Sequence, residues 1–301
     1  MSQVDHRSLL AGLTAEQRRE LTGLSDGKGL AQLISHLALI AVLAIPVVLR
    51  IPYWPLLLAP LGIAIIFLFT ALHESVHGTA FKSERLNTIV AHASGFIVFV
   101  PAVWFRYFHF AHHRHTHDEA LDPELLAPKP ETFWQYAKYL SGIPMWVSLT
   151  KSLFVNVLGC GHEEFVPDRA KRQVVIEARV TIALYALCLA VSILLGTDLL
   201  LWLWVVPALL GQPFLRAYLL AEHARCPHVA NMLENTRTTF TTRFMRFLAW
   251  NMPYHAEHHA YPIVPFHKLP AFHAIAGAHL QETERGYVRF NRKFASGLKS
   301  L

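Results

Sequence analysis

The sequence is poor in charged residues. Only 16% of its 301 residues are Asp, Glu, Lys or Arg, whereas a soluble domain carries about 25%. Hydrophobic residues make up 53%, which indicates a chain partly dissolved in lipid. The net charge is +6, but the basic residues are scattered along the chain. This pattern favours attraction to an anionic inner leaflet, and no nucleic-acid partner is expected.

Motifs of a fused redox or disulfide-bonded domain are also missing. The three cysteines form no CxxC pair, so neither a disulfide framework nor a rubredoxin-like site is expected. The sequence has no GxGxxG fingerprint and no HPGG-like segment of a haem domain. No apolar stretch precedes Leu30, so a signal peptide is not expected.

Four apolar runs are long enough to cross a bilayer, which takes about 20 residues. They form two hairpins, with predicted spans at about 30–49, 54–72, 176–195 and 199–221. A cytosolic helix is expected within residues 1–29. Residues 89–103 are apolar but short, which predicts a re-entrant or interfacial segment. The sequence therefore predicts an all-α membrane protein with a single domain over 1–301.

The distribution of positive charge predicts the orientation of these spans. The two outer loops, at about 50–55 and 196–198, contain Arg50 and Asp198 as their only charged residues. All other basic residues lie toward the inner side, as the positive-inside rule requires. Both termini and the histidine-rich segments are then expected on the cytoplasmic side, within a cap formed by 73–175 and 222–301.

Histidine is the residue in excess, with 19 copies crowded mainly into three motifs. In HESVH (73–77), the i, i+4 spacing puts two imidazoles on one face of a helix. HFAHH (109–113) and HAEHH (255–259) have an i, i+3, i+4 spacing that aims three imidazoles along one stripe. His223, just after the fourth span, is a further candidate.

The number of histidines favours two metal ions. Two first-row metals with open positions need about eight to ten ligands, and neutral imidazole suits iron; one zinc needs three or four. The nine candidates are His73, His77, His109, His112, His113, His223, His255, His258 and His259. His115 is expected to point away from the stripe, while His117 stays open as a further ligand. Glu74, Glu257 and Asp122 are candidates for holding a ligating imidazole through its second N–H.

In this order around two apolar hairpins, HESVH, HFAHH and HAEHH resemble the three histidine boxes of the integral-membrane fatty acid desaturase and hydroxylase superfamily. The resemblance covers about residues 30–265 and implies a four-helix stem, a cytosolic cap that holds a di-iron site, and an acyl tunnel. It implies that the box histidines bind iron and that His223 matches the family's extra histidine. The sequence departs from acyl-CoA desaturases at Leu219, where an Asn is frequent, and in the RHTH that follows the second box.

The resemblance further implies an oxygen-dependent di-iron oxidoreductase that acts on a fatty acid or another acyl lipid. A desaturase is the first expectation; hydroxylases, monooxygenases and terminal-alkene-forming decarboxylases share the same boxes. Because no fused donor is found, a separate ferredoxin, rubredoxin or cytochrome must supply electrons. The compact length and missing donor favour a bacterial inner membrane, with the endoplasmic reticulum membrane as the alternative.

A different class of enzyme also matches the first motif. HESVH fits HExxH, the zinc-protease signature, in which Glu74 would be the general base. A membrane zinc protease would leave both HxxHH motifs unexplained. A non-enzymatic metal sensor or storage protein is the remaining alternative, and it predicts neither turnover with oxygen nor an apolar tunnel.

Overall fold

The computed structural model describes residues 4–160 and 163–299, and within them the chain is mostly helical. In chain order the α-helices are His6–Ala11 (α1), Ala15–Leu21 (α2), Asp26–Val48 (α3), Leu58–Ile66 (α4), Leu68–His77 (α5), Glu84–Ile97 (α6), Ala102–His115 (α7), Phe133–Leu140 (α8), Ile143–Leu158 (α9), Asp168–Leu194 (α10), Val206–His223 (α11), Met232–Asn235 (α12), Arg243–Leu248 (α13), His255–Ala260 (α14), Leu269–Ala276 (α15) and Tyr287–Ser296 (α16). Short 3-10 turns cover Trp54–Leu57, Pro123–Leu126 and Gly277–His279, and one π-helical turn covers Leu201–Val205.

Within residues 4–160 and 163–299, four helical stretches are long and apolar enough to cross a membrane, as predicted, and a bent helix pair could make a fifth span. They are Ala15–Val48, Trp54–His77, Asp168–Leu194 and Leu201–His223. Each predicted span overlaps one of them. The second and fourth stretches end at His77 and His223, so the membrane-length helices carry the first box and His223.

The N-terminal segment forms two short helices where one was predicted. α2 begins with a capping box, because the Thr14 side chain accepts the N–H of Gln17 and the Gln17 side chain accepts the N–H of Thr14. α3 then begins at Asp26, with Ser25 as its N-cap.

The predicted re-entrant or interfacial segment corresponds to a sharply bent helix pair. α6 and α7 meet at an angle of 99°. Phe99 has a positive φ of 61° and Pro101 is the N-cap of α7, so the four residues between the helices turn the chain. This bend returns the second histidine box toward α5.

Two glycines allow a close backbone contact between α4 and α11. A Cβ on Gly62 of α4 would lie 1.8 Å from the carbonyl oxygen of Pro207, and one on Gly211 of α11 would lie 2.2 Å from the carbonyl oxygen of Gly62. The two backbones touch because neither residue has a side chain. α5 follows α4 and His223 ends α11, so this contact fixes where two parts of the site stand relative to each other.

The two loops predicted to lie on the outer side are joined directly. Arg50 donates to both carboxylate oxygens of Asp198, at 2.8 and 2.7 Å. The only charges that the sequence places in these loops therefore pair with each other, and the two hairpins meet at this end.

A small parallel sheet completes the fold. Thr238–Phe240 (β1) pairs with Thr283–Arg285 (β2), with Thr239 opposite Glu284. The sheet lies against α14 through Thr238, whose hydroxyl donates to Glu257. The all-α prediction did not include these strands, which fix the third histidine box from behind.

Candidate metal centre

All nine predicted histidines converge on one region of the molecule. α5 carries His73 and His77, α7 carries His109, His112 and His113, α11 ends at His223, and α14 carries His255, His258 and His259. Seven of the nine are buried and the other two are half-buried. Three separate motifs and the end of a span thus build a single cluster.

The first part of the cluster is a five-histidine group. One ring nitrogen from each of its members lies within 4.8 Å of the others: His73, His77, His109, His113 and His258. The Nε2 of His109 is 2.9 Å from that of His77 and 2.9 Å from that of His113. Two ligands about 2.1 Å from a shared metal lie about 3.0 Å apart when they meet at a right angle. These spacings suit one metal ion.

The second part is a three-histidine group of His112, His223 and His259, with ring nitrogens within the same 4.8 Å limit. His112 and His223 face each other through Nε2 atoms 3.2 Å apart. His255 lies beside this group, since its Nε2 is 3.1 Å from the Nε2 of His223. Four imidazoles therefore surround a second position.

The two groups are neighbours. The rings of His113 and His259 stack with centroids 4.1 Å apart, and each belongs to a different group. Both ring nitrogens of His73 and the Nε2 of His259 are buried without a hydrogen-bond partner in the described part of the chain. Unpaired buried nitrogens are costly, and a metal ion at each group would satisfy them.

The three histidines of α14 are held in the neutral form that binds metal ions. Burial, followed by repulsion from neighbouring histidines, lowers the pKa of His255, His258 and His259 well below the usual value. These side chains are therefore neutral at physiological pH. Metal ions bind neutral imidazole, so no proton has to be displaced from these nitrogens.

Asp122 contacts a histidine of the cluster directly. The Nδ1–H of His112 donates to its Oδ1 at 2.9 Å, and the backbone N–H of His117 donates to its Oδ2 at 2.9 Å. Burial is the largest effect and raises the pKa of Asp122, but the hydrogen bond and charge of His112 and the backbone hydrogen bonds from His117 and Glu124 together outweigh it, so the net pKa is below the usual value. The ionised carboxylate holds His112 with its Nε2 toward the second group.

Glu74 joins the first box to the segment that follows the third. Its Oε1 is 3.5 Å from the Nδ1 of His73, while its Oε2 accepts the Thr79 hydroxyl and the N–H of Phe266, both at 3.0 Å. The side chain is fully buried. These bonds hold the carboxylate beside His73, and Glu74 belongs to neither histidine group.

Glu257 and Glu222 both lie near the imidazoles of α14, but they have different partners. Glu257, predicted to hold a ligating imidazole, contacts Thr238 and His273 on the far side of the helix. Glu222, which sequence reasoning missed, has its Oε1 3.5 Å from the Nδ1 of His255. The one available signal was its position directly before His223.

His117 lies outside both groups. Its Nε2–H donates to the carbonyl of Asn235 at 2.8 Å, so this nitrogen carries a proton and cannot bind a metal. Burial first, and then the nearby His228, lower the pKa of His117 to about 4. His115 also belongs to neither group.

A set of unpaired polar groups lies farther along α11. Gln212 is fully buried, and neither its amide oxygen nor its nitrogen has a partner among residues 4–160 and 163–299. The Nε of Arg216, one turn later, and the Nε1 of Trp146 are likewise buried and unpaired in that part of the chain. Gln212 packs against the start of α9, where a Cβ on Gly142 would lie 2.3 Å from it. Polar groups buried in this way between membrane helices are a mark of a binding site.

Four membrane-length helices with two adjacent histidine groups define an integral membrane metalloprotein. Comparison with known sequences agrees: a profile of the fatty acid desaturase family matches residues 49–291. The chain belongs to this family, as the three histidine boxes indicated.

The chain is also similar to curated sphingolipid desaturases. The chain is 23% identical over 250 residues to a sphingolipid delta(4)-desaturase DES1-like protein of Arabidopsis thaliana, covering 72% of this chain and 61% of that one. It is 26% identical over 210 residues to the sphingolipid delta(4)-desaturase/C4-monooxygenase DES2 of Homo sapiens, covering 68% and 60% of the two chains. The match to these relatives thus spans about 60% of their length.

Proposed function

We propose that this protein is an oxygen-dependent di-iron oxidoreductase that desaturates the hydrocarbon chain of a membrane lipid. The observation that carries the proposal is the pair of adjacent histidine groups in a chain of the fatty acid desaturase family. Two ferrous ions held there would supply oxygen activation and the removal of hydrogen from an unactivated C–H bond. Nine imidazoles would hold them, in the five-histidine group and in the three-histidine group with His255.

The chain's own residues would keep this site in order. Asp122 orients His112 through a hydrogen bond to its Nδ1–H, and such support is worth about 10–100-fold in metal affinity. Glu74 and Glu222 each have a carboxylate oxygen 3.5 Å from the Nδ1 of His73 and of His255. Burial of the cluster excludes bulk water, so a reactive centre would oxidise the lipid in preference to other partners.

The proposed substrate is a long-chain lipid with a polar group that accepts and donates hydrogen bonds. The names of the curated relatives suggest a sphingolipid, and the unpaired Gln212, Arg216 and Trp146 support a polar ligand beside α11. Arg216 and Gln212 precede His223 by two to three helical turns, about 10–17 Å along the axis.

Hydroxylation is the second candidate reaction. One relative is described as both a desaturase and a C4-monooxygenase, and the two reactions differ only in the step after the first loss of hydrogen. The zinc-protease alternative gains no support: Glu74 is fully buried, holds two hydrogen bonds and belongs to neither metal group. A general base must instead reach a metal-bound water.

We further propose that the histidine cluster and both termini lie on the cytoplasmic side, where a separate ferredoxin, rubredoxin or cytochrome delivers electrons. The positive-inside distribution of Lys and Arg supports this orientation. The part outside the membrane, 73–175 and 222–301, would form the cap over the metals.

Product analysis tests the proposal. Purified protein would be loaded with ferrous iron without oxygen, then supplied with oxygen, a ferredoxin system and a panel of fatty acids and ceramides. A product two mass units lighter establishes desaturation, and one sixteen units heavier establishes hydroxylation. Loss of carbon dioxide would show terminal-alkene formation. His259→Ala should abolish turnover, whereas His279→Ala, outside both groups, should retain it. Iron binding without oxygen consumption would refute the enzymatic proposal.

A further inference from the structure

A short turn after the second histidine box brings a carboxylate to the metal face of His112. The turn covers Pro123–Leu126 and is N-capped by Asp122, whose Oδ1 accepts the N–H of Glu124 at 3.0 Å. The same oxygen accepts the Nδ1–H of His112 at 2.9 Å. One carboxylate therefore orients His112 and also folds the turn that carries Glu124.

The Glu124 side chain points to the nitrogen of His112 that faces the second group. Its Oε1 lies 3.9 Å from the Nε2 of His112, and that Nε2 is the atom 3.2 Å from the Nε2 of His223. Two ligands of one first-row metal, each about 2.1 Å from it, are at most about 4.2 Å apart. The carboxylate is thus close enough to share a metal with His112.

Without Glu124, the two metal positions have different numbers of protein ligands. The first group has five imidazoles, whereas His112, His223, His255 and His259 make four at the second. All nine are neutral ligands, so the protein supplies no negative charge to either ion through them. A carboxylate oxygen at the second position gives it a fifth donor and one negative charge, and both suit ferrous iron.

Glu124 has the freedom to bind. Its side chain is 31% exposed, and its other oxygen lies 3.9 Å from the Nζ of Lys129, a distance too long for a hydrogen bond. A loosely held, half-exposed side chain can rotate toward a metal at little cost, whereas Asp122 and Glu74 are fixed by several short bonds.

We propose that Glu124 is a ligand of the second metal ion and would bind it through Oε1, beside the Nε2 of His112. The inference rests on the two-metal site of the proposed function. It assigns the second ion four imidazoles and one carboxylate, and the first ion five imidazoles.

Metal affinity and Mössbauer spectroscopy test this without any measurement of turnover. The full chain and its Glu124→Gln variant would be loaded anaerobically with ferrous iron-57 and titrated with a competing chelator. Glu131→Gln is the matched control, because Glu131 is a lysine-paired glutamate on the surface, next to Lys299. The wild type should show two inequivalent ferrous sites of equal area.

Glu124→Gln should weaken the second iron at least tenfold and change one of the two signals, while the five-histidine signal stays. Glu124→Asp, which keeps the charge on a shorter side chain, should recover part of the affinity. If both irons of Glu124→Gln bind and absorb as in Glu131→Gln, Glu124 is only a surface partner of Lys129 and the inference is wrong. A wild type that never binds two irons would instead overturn the proposed function itself.

Discussion

The contact between α4 and α11 offers a direct test of how the stem positions the metal centre. Replacing Gly62 by Ala adds a Cβ that would lie 1.8 Å from the Pro207 carbonyl oxygen and 2.6 Å from its carbon. Ordinary contacts of this kind begin near 3.4 Å. Because the opposing atoms are backbone, the two helices have to separate by about 1.5 Å.

Two opposing effects set the size of the change. Ala in a helix interior is favoured over Gly by about 1 kcal/mol, while overpacking of a close contact costs about 1–3 kcal/mol. The net effect on the free energy of unfolding is expected to be a loss of up to about 2 kcal/mol. The shift also moves His223 relative to α5, beyond the tolerance of about 0.5 Å that a preorganised site allows.

The assay compares Gly62→Ala with Gly27→Ala in detergent, by thermal unfolding and by iron content. Gly27 is also helical, but the nearest atom to an added Cβ is the Ser25 hydroxyl at 3.8 Å. Gly27→Ala should leave iron content unchanged and raise the unfolding temperature slightly. Gly62→Ala should lower both quantities. If the two variants behave alike, the glycine contact does not position the site.

Three further predictions concern the surroundings of the metals. Asp122→Asn should weaken iron binding about 10–100-fold, because the neutral amide no longer holds the His112 Nδ1–H as an ionised carboxylate does; wild-type affinity in a chelator titration would contradict this. Acid should unfold the metal-free protein: the three α14 histidines have lowered pKa values, so they stay neutral when folded but protonate near pH 6.5 when unfolded. Their contribution to the free energy of unfolding is complete above about pH 6.5. As the pH falls below that value, it decreases by up to about 1.4 kcal/mol per pH unit for each histidine. Urea midpoints that do not change between pH 7.5 and 5.5 would refute this prediction. Gln212→Leu should not lower thermal stability, because it removes an unpaired buried amide that costs about 1–3 kcal/mol, yet it should raise the KM for a polar lipid; an unchanged KM would mean that Gln212 does not contact the substrate.

Much of the arrangement was predictable because helical spacing and hydropathy are local signals. The i, i+4 and i, i+3, i+4 patterns place histidines on one face of α5, α7 and α14 wherever those helices lie. The four spans follow from apolar length alone. The convergence of the histidines on one site was less predictable, since it depends on the bend between α6 and α7 and on the contact of Gly62 with α11.

The partners of the buried carboxylates could not be predicted from the sequence. Glu222 contacts His255 from a residue 33 positions earlier in the chain, and nothing in its local sequence marks that partner. Glu257 looked equivalent because it lies between ligand candidates, but its position on α14 directs it to Thr238 and His273. Long-range pairing, and not motif, decides which acid supports which imidazole.

His117 illustrates a different limit. An α7 that continued past His115 would have placed His117 on the stripe of His113. Instead α7 ends at His115, and His117 adopts a positive φ of 66° while its backbone N–H donates to Asp122. No glycine or proline marks this helix end, so the sequence alone left the residue open.

The most direct test of the central claim is the number of iron ions bound per chain. Wild-type protein, a double variant of the first group (His73→Ala with His77→Ala) and a double variant of the second (His223→Ala with His259→Ala) would be loaded anaerobically and analysed for iron. We expect two ions in the wild type and one in each double variant, with the remaining signal differing between the two. One ion in the wild type, or loss of all iron from both variants, would contradict two separate histidine-held metal positions.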